Sequence, residues 1–346
     1  SYEAALKSID RIAHPGKRIL EAKQRILFQL GTQAFANTQF EQAIGYFDRS
    51  LGLGQYNRQT KADALYWRGE AYYRLNRMEE AKRNFTDYLQ LTQQTHNEMY
   101  ALAHYNLGYI AFHQKDYTQA QNWFRKYISL EKGENKTALA DAYNRIGDCY
   151  LDVRNFDEAK HYYSQAEAMN TPSGDYSFYQ LALVSGLQKD YSGKITLLNR
   201  LAGKYPASPY AISALYEKGR SYVLMDNNQQ AIASFKELLA KYPESPVSRK
   251  AAAEIGLLYY QNEDYDQAIN AYKQVVQKYP GSDEARLAMR DLKSIYVRSD
   301  KGEMIQLDNL ITLEENVAPP QLYHYNRFLS ATVSAGLAKG KTCLLY

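Results

Sequence analysis

Small and bulky residues recur along this chain at a fixed spacing. A glycine or alanine is followed twelve residues later by alanine in six of seven copies, and sixteen residues later by an aromatic ring or leucine. The seven small residues lie 38, 39, 39, 35, 37 and 37 residues apart. The seven triplets are Gly31, Ala43 and Phe47; Gly69, Ala81 and Phe85; Gly108, Ala120 and Phe124; Gly147, Ala159 and Tyr163; Ala182, Lys194 and Leu198; Gly219, Ala231 and Phe235; and Gly256, Ala268 and Tyr272. Self-similarity at this period is typical of repeat architectures.

Each copy is predicted to form a helix-turn-helix hairpin. Small side chains allow two helices to approach closely, so we expect the glycine of the first helix and the alanine of the second helix to lie where their backbones cross. Large residues three positions after the glycine, such as Tyr72, Tyr150 and Tyr222, are expected to fill the space beside this crossing. The pattern therefore predicts an all-α fold made of stacked hairpins.

The three columns resemble those of the tetratricopeptide repeat family from about Gln24 to Pro280. The resemblance implies an all-α, right-handed superhelical solenoid of helix-turn-helix repeats that binds other proteins. The chain departs from the family pattern in two ways. The tryptophan-type column of the first helix holds Leu65, His104 and Ala252, and the fifth repeat has Ala182 and Lys194 in place of glycine and alanine. The fifth repeat is expected to be the least regular.

This register divides the chain into repeats and a tail. We expect a half repeat over residues 1–20, seven repeats over about 24–282 and a degenerate eighth repeat over 283–316, whose second helix would span 300–316. Together these form a predicted solenoid over 1–316. After Pro319 and Pro320, residues 317–346 are predicted to form a C-terminal helix, cap or tail, because apolar residues from Leu322 to Leu337 follow helical spacing. Both ends are expected to be cut from a longer array.

Repeats five to seven end in a shared phrase. The triplet lysine-tyrosine-proline occurs at 204–206, 241–243 and 278–280. Proline stops a helix, and the following Ser208-Pro209 and Ser245-Pro246 pairs supply a serine cap and a proline at the first helical position. This phrase resembles bacterial cell-envelope repeat proteins of the outer-membrane assembly lipoprotein and Tol-Pal-associated types. The resemblance implies a periplasmic or outer-membrane-associated location, with a cytoplasmic location as the alternative.

Composition and charge exclude several classes of function. The chain has 346 residues, 45% of them hydrophobic, and 33 tyrosines against 11 phenylalanines, which suits a thin structure whose rings are buried while their hydroxyl groups reach water. Its net charge of +4 comes from interspersed charges, which gives no reason to expect nucleic acid as a partner. No apolar stretch approaches the roughly 18 residues of a membrane span. Two cysteines are too few for a disulfide framework.

No constellation typical of an enzyme occurs, so the chain is expected to have no catalytic residues, no cofactor and no metal. The tail string Gly340-Lys341-Thr342 lacks the earlier glycine of a phosphate-binding loop, because Ala335 occupies that position. Cys149 is interpreted as a small buried residue. The histidines lack the spacing of a zinc site and are interpreted as solvated or packed side chains: His14, His96, His104, His113, His161 and His324.

The candidate site is the concave groove that first helices form in this family. The resemblance implies that residues flanking the glycine face the ligand. The candidate partner-binding residues are Phe28, Tyr66, Trp67, Tyr105, Asn106, Tyr109, Asn144, Arg145, Tyr179, Tyr216, Arg220 and Tyr260. Aromatic rings supply contact area for a peptide, and amide and guanidinium groups bind its backbone. The alternative is that about half of these rings only pack adjacent helices, since apolar periodicity also marks helix packing.

A chaperone C-terminal tail is an unlikely partner. The branch of the family that binds such tails holds a carboxylate with lysine, asparagine and arginine side chains. Asn106 and Arg145 match that set, but Tyr66, Glu70 and Asp141 occupy its other positions.

The sequence thus favours a non-catalytic scaffold for a partner peptide or protein in the bacterial envelope. The alternative is a repeat-type sensor domain of a longer cytoplasmic signalling protein.

Overall fold

The structure is a computed structural model that describes residues 1–298, 304–306, 311–317 and 331–337. Within these ranges the chain forms sixteen helices. They are α1 (Tyr2–Asp10), α2 (Lys17–Ala36), α3 (Phe40–Leu51), α4 (Arg58–Arg74), α5 (Met78–Thr92), α6 (Tyr100–His113), α7 (Tyr117–Leu130), α8 (Lys136–Asp152), α9 (Phe156–Ala168), α10 (Gly174–Leu187), α11 (Tyr191–Lys204), α12 (Ala211–Leu224), α13 (Asn228–Lys241), α14 (Pro246–Gln261), α15 (Tyr265–Lys278) and α16 (Asp283–Ser294). The predicted all-α repeat fold is confirmed.

The helices from α2 to α15 form seven hairpins, each with a first and a second helix, as the three sequence columns predicted. Helix α1 stands where the second helix of the half repeat was expected, and α16 stands where the first helix of the eighth repeat was expected. The contacts divide the chain into two compact units, Ser1–Ser177 and Phe178–Tyr346, called unit 1 and unit 2 below. Inside unit 1 the first helices α2 and α4 contact each other, and inside unit 2 α14 contacts both α12 and α16.

The turn between the two helices of every hairpin has the same backbone geometry. One non-glycine residue adopts a left-handed conformation, with φ between 56° and 64°. The seven residues are Thr38, Asn76, Lys115, Arg154, Lys189, Asp226 and Glu263. In five hairpins the next residue is an Asp or Asn that accepts a hydrogen bond from the backbone N–H three residues later, as Asp116 does from Gln119 at 3.1 Å. These caps satisfy N–H groups that the first turn of the second helix leaves free.

The glycine column makes room for the ring of the second helix. A Cβ atom added to Gly219 would lie 2.4 Å from Cε1 of Phe235, and one added to Gly108 would lie 2.8 Å from the same atom of Phe124. Both distances are far below van der Waals contact. The alanine column is fully buried in six hairpins. The close contact that requires glycine is therefore with the aromatic residue sixteen positions later, whereas the sequence suggested the alanine twelve positions later.

In the fifth hairpin the column residues differ, and each larger residue lies against a smaller one on the other helix. Ala182 stands in the glycine column, and its partner in the ring column is Leu198, which is thinner than an aromatic ring. Lys194 stands in the alanine column and is buried, with its stem over Gly186: a Cβ added there would lie 2.8 Å from the lysine Cδ. The ammonium group hydrogen-bonds and ion-pairs with Glu217 on α12. The irregular residues of this repeat therefore fit one another.

The serine-proline pairs behave differently in the two places where they occur. Ser245 caps α14, and Pro246 is its first residue, as predicted. Ser208 also accepts a hydrogen bond two residues on, from the N–H of Tyr210 at 3.1 Å, but α12 begins only at Ala211, so Pro209 precedes the helix. Helices α11, α13 and α15 each end at the lysine of the lysine-tyrosine-proline phrase.

The residues after α16 contradict the predicted helices. The expected second helix at 300–316 is wrong, because Met304–Gln306 and Ile311–Val317 are strands β2 and β3. The expected helix over Leu322 to Leu337 is wrong at Ala331–Leu337, which is strand β4. Strand β1 (Tyr296–Arg298) pairs antiparallel with β2, and β3 pairs antiparallel with β4, with Ile311 opposite Leu337. The remaining residues of these two predictions lie outside the described ranges.

Candidate functional site

All twelve candidate residues lie on first helices, from α2 to α14. Four of them, Tyr105, Tyr109, Asn144 and Arg145, line one cavity of about 480 Å³ inside unit 1. The cavity lies between α6, the start of α8, and the segment that enters α10. The other lining residues are Asn135, Thr137, Ala138, Ala140, Asp141, Thr171, Ser173 and Tyr176. We call this the tyrosine cavity.

A chain of hydrogen bonds and ion pairs runs along the floor of the tyrosine cavity. The hydroxyl groups of Tyr105 and Tyr109 both donate to Oδ2 of Asp141, the former at 2.7 Å. Arg145 Nε lies 3.5 Å from the other carboxylate oxygen of Asp141, and Arg145 Nη1 lies 2.6 Å from Oδ2 of Asp148. These contacts link α6 to α8, so candidate ligand-binding residues also hold successive hairpins together.

Asp148 completes this network on the side of α10. Its Oδ1 accepts hydrogen bonds from the hydroxyl groups of Tyr163 at 2.6 Å and Tyr176 at 2.7 Å. The guanidinium group of Arg145 lies over the ring of Tyr176, 4.8 Å from its centroid. Asn144, one residue before Arg145, is buried and accepts a hydrogen bond from Ser177 at 2.9 Å. The arginine is thus enclosed by two carboxylates and aromatic rings.

Burial and charge shift the titration of these groups. Burial raises the pKa of Asp148, although Arg145 and the two tyrosine hydroxyl groups oppose the shift. Burial works against the charge of Arg145, but the carboxylates of Asp148 and Asp141 outweigh it, so the arginine pKa is raised. Burial and the negative charge of Asp141 both raise the pKa of Tyr105 and Tyr109. The tyrosines are therefore hydrogen-bond donors at neutral pH, not bases.

Asn106 and Tyr66 belong to a second network in unit 1. The side-chain amide of Asn106 donates to Glu70 at 2.5 Å and to the hydroxyl group of Tyr66 at 3.2 Å. Burial raises the pKa of Glu70, while Arg74 opposes the shift. Two residues of the carboxylate-binding set, Asn106 and Arg145, are thus held by carboxylates of the chain itself. This geometry disfavours a partner carboxylate at both positions.

Several candidate rings of unit 1 pack against the second helices. Tyr66 is only 4% exposed, and its ring contacts Phe85 and Tyr88 edge to face. Phe28 lies 5.9 Å from Phe47 between ring centroids, and Trp67 packs into the hydrophobic core around Phe85. These positions show the packing role that apolar periodicity also allowed.

The candidate residues of unit 2 contact different neighbours. Tyr179 stacks on Tyr210 with centroids 4.9 Å apart, and Tyr216 contacts Phe235. Arg220 forms an ion pair with Glu254 at 3.1 Å, which joins α12 to α14. Tyr260 is 38% exposed. The tyrosine cavity therefore brings together four of the twelve candidate residues.

Two of the cavity residues that were not among the candidates share one sequence position. Asp141 and Tyr176 each stand six residues before the small residue of their repeat. Asp141 lies three residues before Asn144 and four before Arg145, and Tyr176 lies three residues before Tyr179, so each is on the same helix face as candidate residues. This spacing is the signal that could have identified them. Thr171 and Ser173 come from the loop before α10, whose path the repeat pattern does not specify.

Groups that could carry other chemistry are buried or scattered in the described residues. Burial and the neighbouring Asp148 raise the pKa of the Cys149 thiol to about 12, so it is protonated and unreactive. Among the side chains that the structure describes, no three His, Cys, Asp or Glu side chains are grouped closely enough to hold a metal ion. The tail string at Gly340 lies outside the described residues.

None of the helices in the described part of the chain combines the length and the apolar character needed to cross a membrane.

Solved structures with the same fold differ greatly in sequence. The C-terminal part of a TPR repeat-containing protein from Cytophaga hutchinsonii superposes with a TM-score of 0.63 at 18% identity, over 76% of this chain and 99% of that one. A signal transduction ATPase with a tetratricopeptide repeat sensor, from Pyrococcus horikoshii, gives a TM-score of 0.58 at 19% identity, over 79% of this chain and 45% of that one. At such identities the similarity shows the fold alone.

Sequence comparisons also found a match to one relative over a short stretch and a match to a second family model over part of the chain. An uncharacterized protein, ycf37, from Guillardia theta is 40% identical over 62 residues, which is 18% of this chain and 35% of that protein, so the chain spans about a third of this relative. A family model described as AcrB/AcrD/AcrF matches residues 256–343, which include α15, α16 and the four strands.

Two tetratricopeptide repeat models cover most of the chain. One matches residues 28–93, 144–209 and 216–287, and the other matches residues 99–171. The first of these alone spans more than half of the sequence, and its three matches fall on the hairpins described above. The chain therefore belongs to the tetratricopeptide repeat family.

Proposed function

We propose that this chain is a non-catalytic scaffold that binds a segment of a partner protein on the first helices of unit 1, at the tyrosine cavity. The tetratricopeptide repeat fold is a protein-interaction scaffold, which supports the general role. The cavity that gathers Tyr105, Tyr109, Asn144 and Arg145 supports the location, because these four came from the ligand-facing columns of the family. Its volume of about 480 Å³ falls within the range of roughly 300–1,000 Å³ common for ligand sites.

The rim of the tyrosine cavity suits a peptide backbone. Thr137 and Ser173 are exposed at this rim and carry hydroxyl groups that can donate and accept hydrogen bonds. The floor is held rigid by the bonds of Asp141 and Asp148 to four tyrosines. A rigid floor lowers the conformational entropy that is lost when a ligand binds.

Blocking the rim tests this proposal without removing any core contact. A peptide that binds the purified chain is first selected from a random library, and its affinity is measured by fluorescence anisotropy. In the double variant Thr137→Arg and Ser173→Arg, two large side chains obstruct the cavity. We expect the affinity to fall at least about tenfold, equivalent to about 1.4 kcal/mol.

The control variant is Thr86→Arg, which places the same side chain on the exposed side of α5, away from the cavity. It should leave the affinity unchanged, and both variants should retain the thermal unfolding curve of the parent chain. An unchanged affinity of the rim variant would show that the selected peptide binds elsewhere and would refute the proposed location.

The proposal includes a location in the bacterial envelope. Its support is the lysine-tyrosine-proline phrase at the ends of α11, α13 and α15, which resembles envelope repeat proteins. The test is fractionation of bacterial cells that express the complete natural gene, followed by immunodetection. Recovery with the periplasmic or outer-membrane fraction is the expected result. Recovery in the cytoplasm would instead favour the sensor domain of a signalling protein.

A further inference from the structure

The tyrosine cavity continues into a second, wider depression of unit 1. The two share Asn135 and Thr137 at the start of α8. The second depression has a volume of about 600 Å³ and is formed by the loops that precede α6 and α8. Its other lining residues are Glu98, Ala101, Leu102, Glu131, Glu134 and Lys136. We call the two depressions together the acidic cleft.

Carboxylates outnumber cations in the acidic cleft. Glu98, Glu131, Glu134 and Asp141 line it, against the cations Lys136 and Arg145. The charge of Arg145 is further offset by Asp148 behind it, at 2.6 Å. The whole chain, in contrast, carries a net charge of +4. The cleft is therefore a negative region on a positively charged molecule, and this local excess would attract a positively charged segment.

Asp141 retains capacity to accept a further hydrogen bond. Its Oδ2 accepts from both tyrosine hydroxyl groups, whereas Oδ1 has only the approach of Arg145 Nε at 3.5 Å. That Nε–H has no hydrogen-bond partner, so the approach is an ion pair without a hydrogen bond. The Asp141 side chain is 30% exposed. An ionised carboxylate offers about four acceptor positions, which leaves Oδ1 available to a donor from the ligand.

The aromatic rings beside Asp141 favour the same kind of ligand. Tyr105 and Tyr109 pack edge to face with centroids 5.1 Å apart, next to this carboxylate. The face of a tyrosine ring attracts an ammonium or guanidinium group that lies within about 6 Å. A carboxylate oxygen beside two rings can therefore hold a cation by charge, by hydrogen bonding and by its contact with the rings.

We infer that the acidic cleft selects a basic segment of the partner, with one lysine or arginine side chain bound at Asp141 beside Tyr105 and Tyr109. Neighbouring basic residues of the segment would face Glu98, Glu131 and Glu134. This inference rests on the proposed function, because it names the chemistry of the partner for the same site. The helix N-termini at the cleft would favour an acidic segment instead, which is the competing outcome of the test.

Three labelled glycine-serine peptides of equal length serve as probes, with regularly spaced lysine, glutamine or glutamate. Their affinities for the full chain are measured by fluorescence anisotropy at low salt. We expect the lysine peptide to bind about tenfold more tightly than the glutamine peptide, the effect of one charge-assisted hydrogen bond. This preference should diminish as salt is added. Equal binding of the two, or tightest binding of the glutamate peptide, overturns the inference.

The variant Asp141→Asn keeps the shape of the side chain and removes its charge. It should weaken binding of the lysine peptide about fivefold to tenfold while leaving the glutamine peptide unaffected. The matched control is Asp87→Asn on the exposed side of α5, which should change neither affinity. If Asp141→Asn binds the lysine peptide as the parent chain does, the inference fails.

A second variant keeps the test valid if Asp141→Asn unfolds. Glu98 and Glu134 are exposed, so their double replacement by glutamine should preserve the fold. It should weaken binding of the lysine peptide at least threefold, because two carboxylates that attract the peptide are lost. Retained binding contradicts the inference. The rim variant of Thr137 and Ser173 distinguishes this inference from the proposed function. If that variant loses affinity for the selected peptide but the parent chain shows no preference for the lysine peptide, only the basic character of the partner is refuted. If neither result is obtained, the location of the site is refuted as well.

Discussion

The third and fifth hairpins show two ways to build the same repeat. In the third, Gly108 leaves room for the ring of Phe124, and Ala120 is fully buried between the helices. In the fifth, the equivalent positions hold Ala182, Leu198 and Lys194, and Gly186 replaces the ring that stands at Phe112 in the third. Each departure in the fifth hairpin has a matching change opposite it. The comparison shows that the repeat conserves the volume shared by its two helices, not any single residue type.

Each of these two hairpins also buries one basic side chain, but the two side chains have different polar partners. His104 is 4% exposed, and its Nδ1–H donates to the carbonyl oxygen of Tyr100 at 2.9 Å. Burial lowers the pKa of His104, and the positive charges of Lys126 and His96 lower it further, so the ring is neutral. Lys194 is 7% exposed, and its ammonium group forms an ion pair with Glu217. The ordinary pKa of histidine lies near neutrality, so its burial in the neutral form costs little, whereas the much higher ordinary pKa of lysine makes a counter-charge the less costly way to bury it.

The most disruptive test moves the lysine of the fifth hairpin into the third, as Ala120→Lys. The stem would collide with Phe112, and the ammonium group would face Arg145, which holds the position of Glu217. Overpacking and an unpaired buried charge together should lower the free energy of unfolding by about 4 kcal/mol. Urea unfolding followed by circular dichroism measures this, with the exposed Thr118→Lys on the same helix as the control. A loss of unfolding free energy below about 1 kcal/mol would show that a buried lysine at this position needs neither the small residue nor the counter-charge found in the fifth hairpin.

Removing the partner of the buried lysine should have the next largest effect. Glu217→Gln leaves the Lys194 ammonium group without its counter-charge, and since Glu217 is partly exposed we expect a loss of about 2 kcal/mol in unfolding free energy. The control is Glu237→Gln, which breaks the exposed ion pair with Lys241 and should change stability by less than about 0.5 kcal/mol. Equal effects of the two replacements would contradict the special role of the buried pair.

A double-mutant cycle tests the match between Ala182 and Leu198. Leu198→Phe alone should collide with the methyl group of Ala182 and lower the unfolding free energy by about 1–3 kcal/mol. Adding Ala182→Gly recreates the glycine and ring of the other six hairpins and should recover at least half of that loss. The measurement is the coupling free energy from urea unfolding of all four proteins. Strict additivity would mean that the two positions are independent.

The smallest effect concerns His104 and depends on pH. Because its folded pKa is lowered, the unfolded state binds a proton more readily, so the stability present above about pH 6.5 is lost as the pH falls through that value. His104→Phe places the residue of the equivalent position in the fifth hairpin, Phe178, in the third. It should remove the contribution of His104 to the dependence of unfolding free energy on pH, which is at most about 1.4 kcal/mol per pH unit. Unfolding free energies at pH 7 and pH 5 provide the measurement. The parent chain, measured at the same two pH values, is the reference.

Sequence reasoning located the hairpins but misassigned one contact. The columns at Gly219, Ala231 and Phe235 were evident, and the structure confirms a close approach at the glycine. Which of the two later columns makes that approach could not be decided from spacing, because both lie on the second helix and one turn apart. The distance of 2.4 Å to Phe235 identifies the ring.

The sequence columns indicated which helices carry the candidate side chains, but not how far each side chain is buried. Column positions placed Tyr105 and Tyr109 on a first helix, and both line the tyrosine cavity. Tyr66 occupies the same column as Tyr105, yet it is buried against Phe85 and Tyr88. The packing of the neighbouring hairpin decides how far each ring is covered. That packing varies from repeat to repeat, although the column is the same.

The tail was misread because a short apolar stretch fits two periods. In Ala331–Leu337, apolar residues alternate with Thr332, Ser334 and Gly336, which is the period of a strand. The prediction of a helix rested on the spacing of apolar residues over the longer stretch from Leu322 to Leu337. The strand pairing of β3 with β4 shows that the repeat pattern does not continue through these residues.

The amino-acid sequence by itself determined the length of the repeat, the two helices of each hairpin and the turn between them. These features depend on residues close together in the chain, where helix geometry fixes which positions meet. Only the tertiary structure decided which charged groups are buried and which partners they meet. Lys194 and Glu217 are 23 residues apart and meet only because α11 packs on α12. Likewise, the enclosure of Arg145 by Asp141, Asp148 and the tyrosines requires neighbouring hairpins to be stacked, since burial and partner charge arise from that packing.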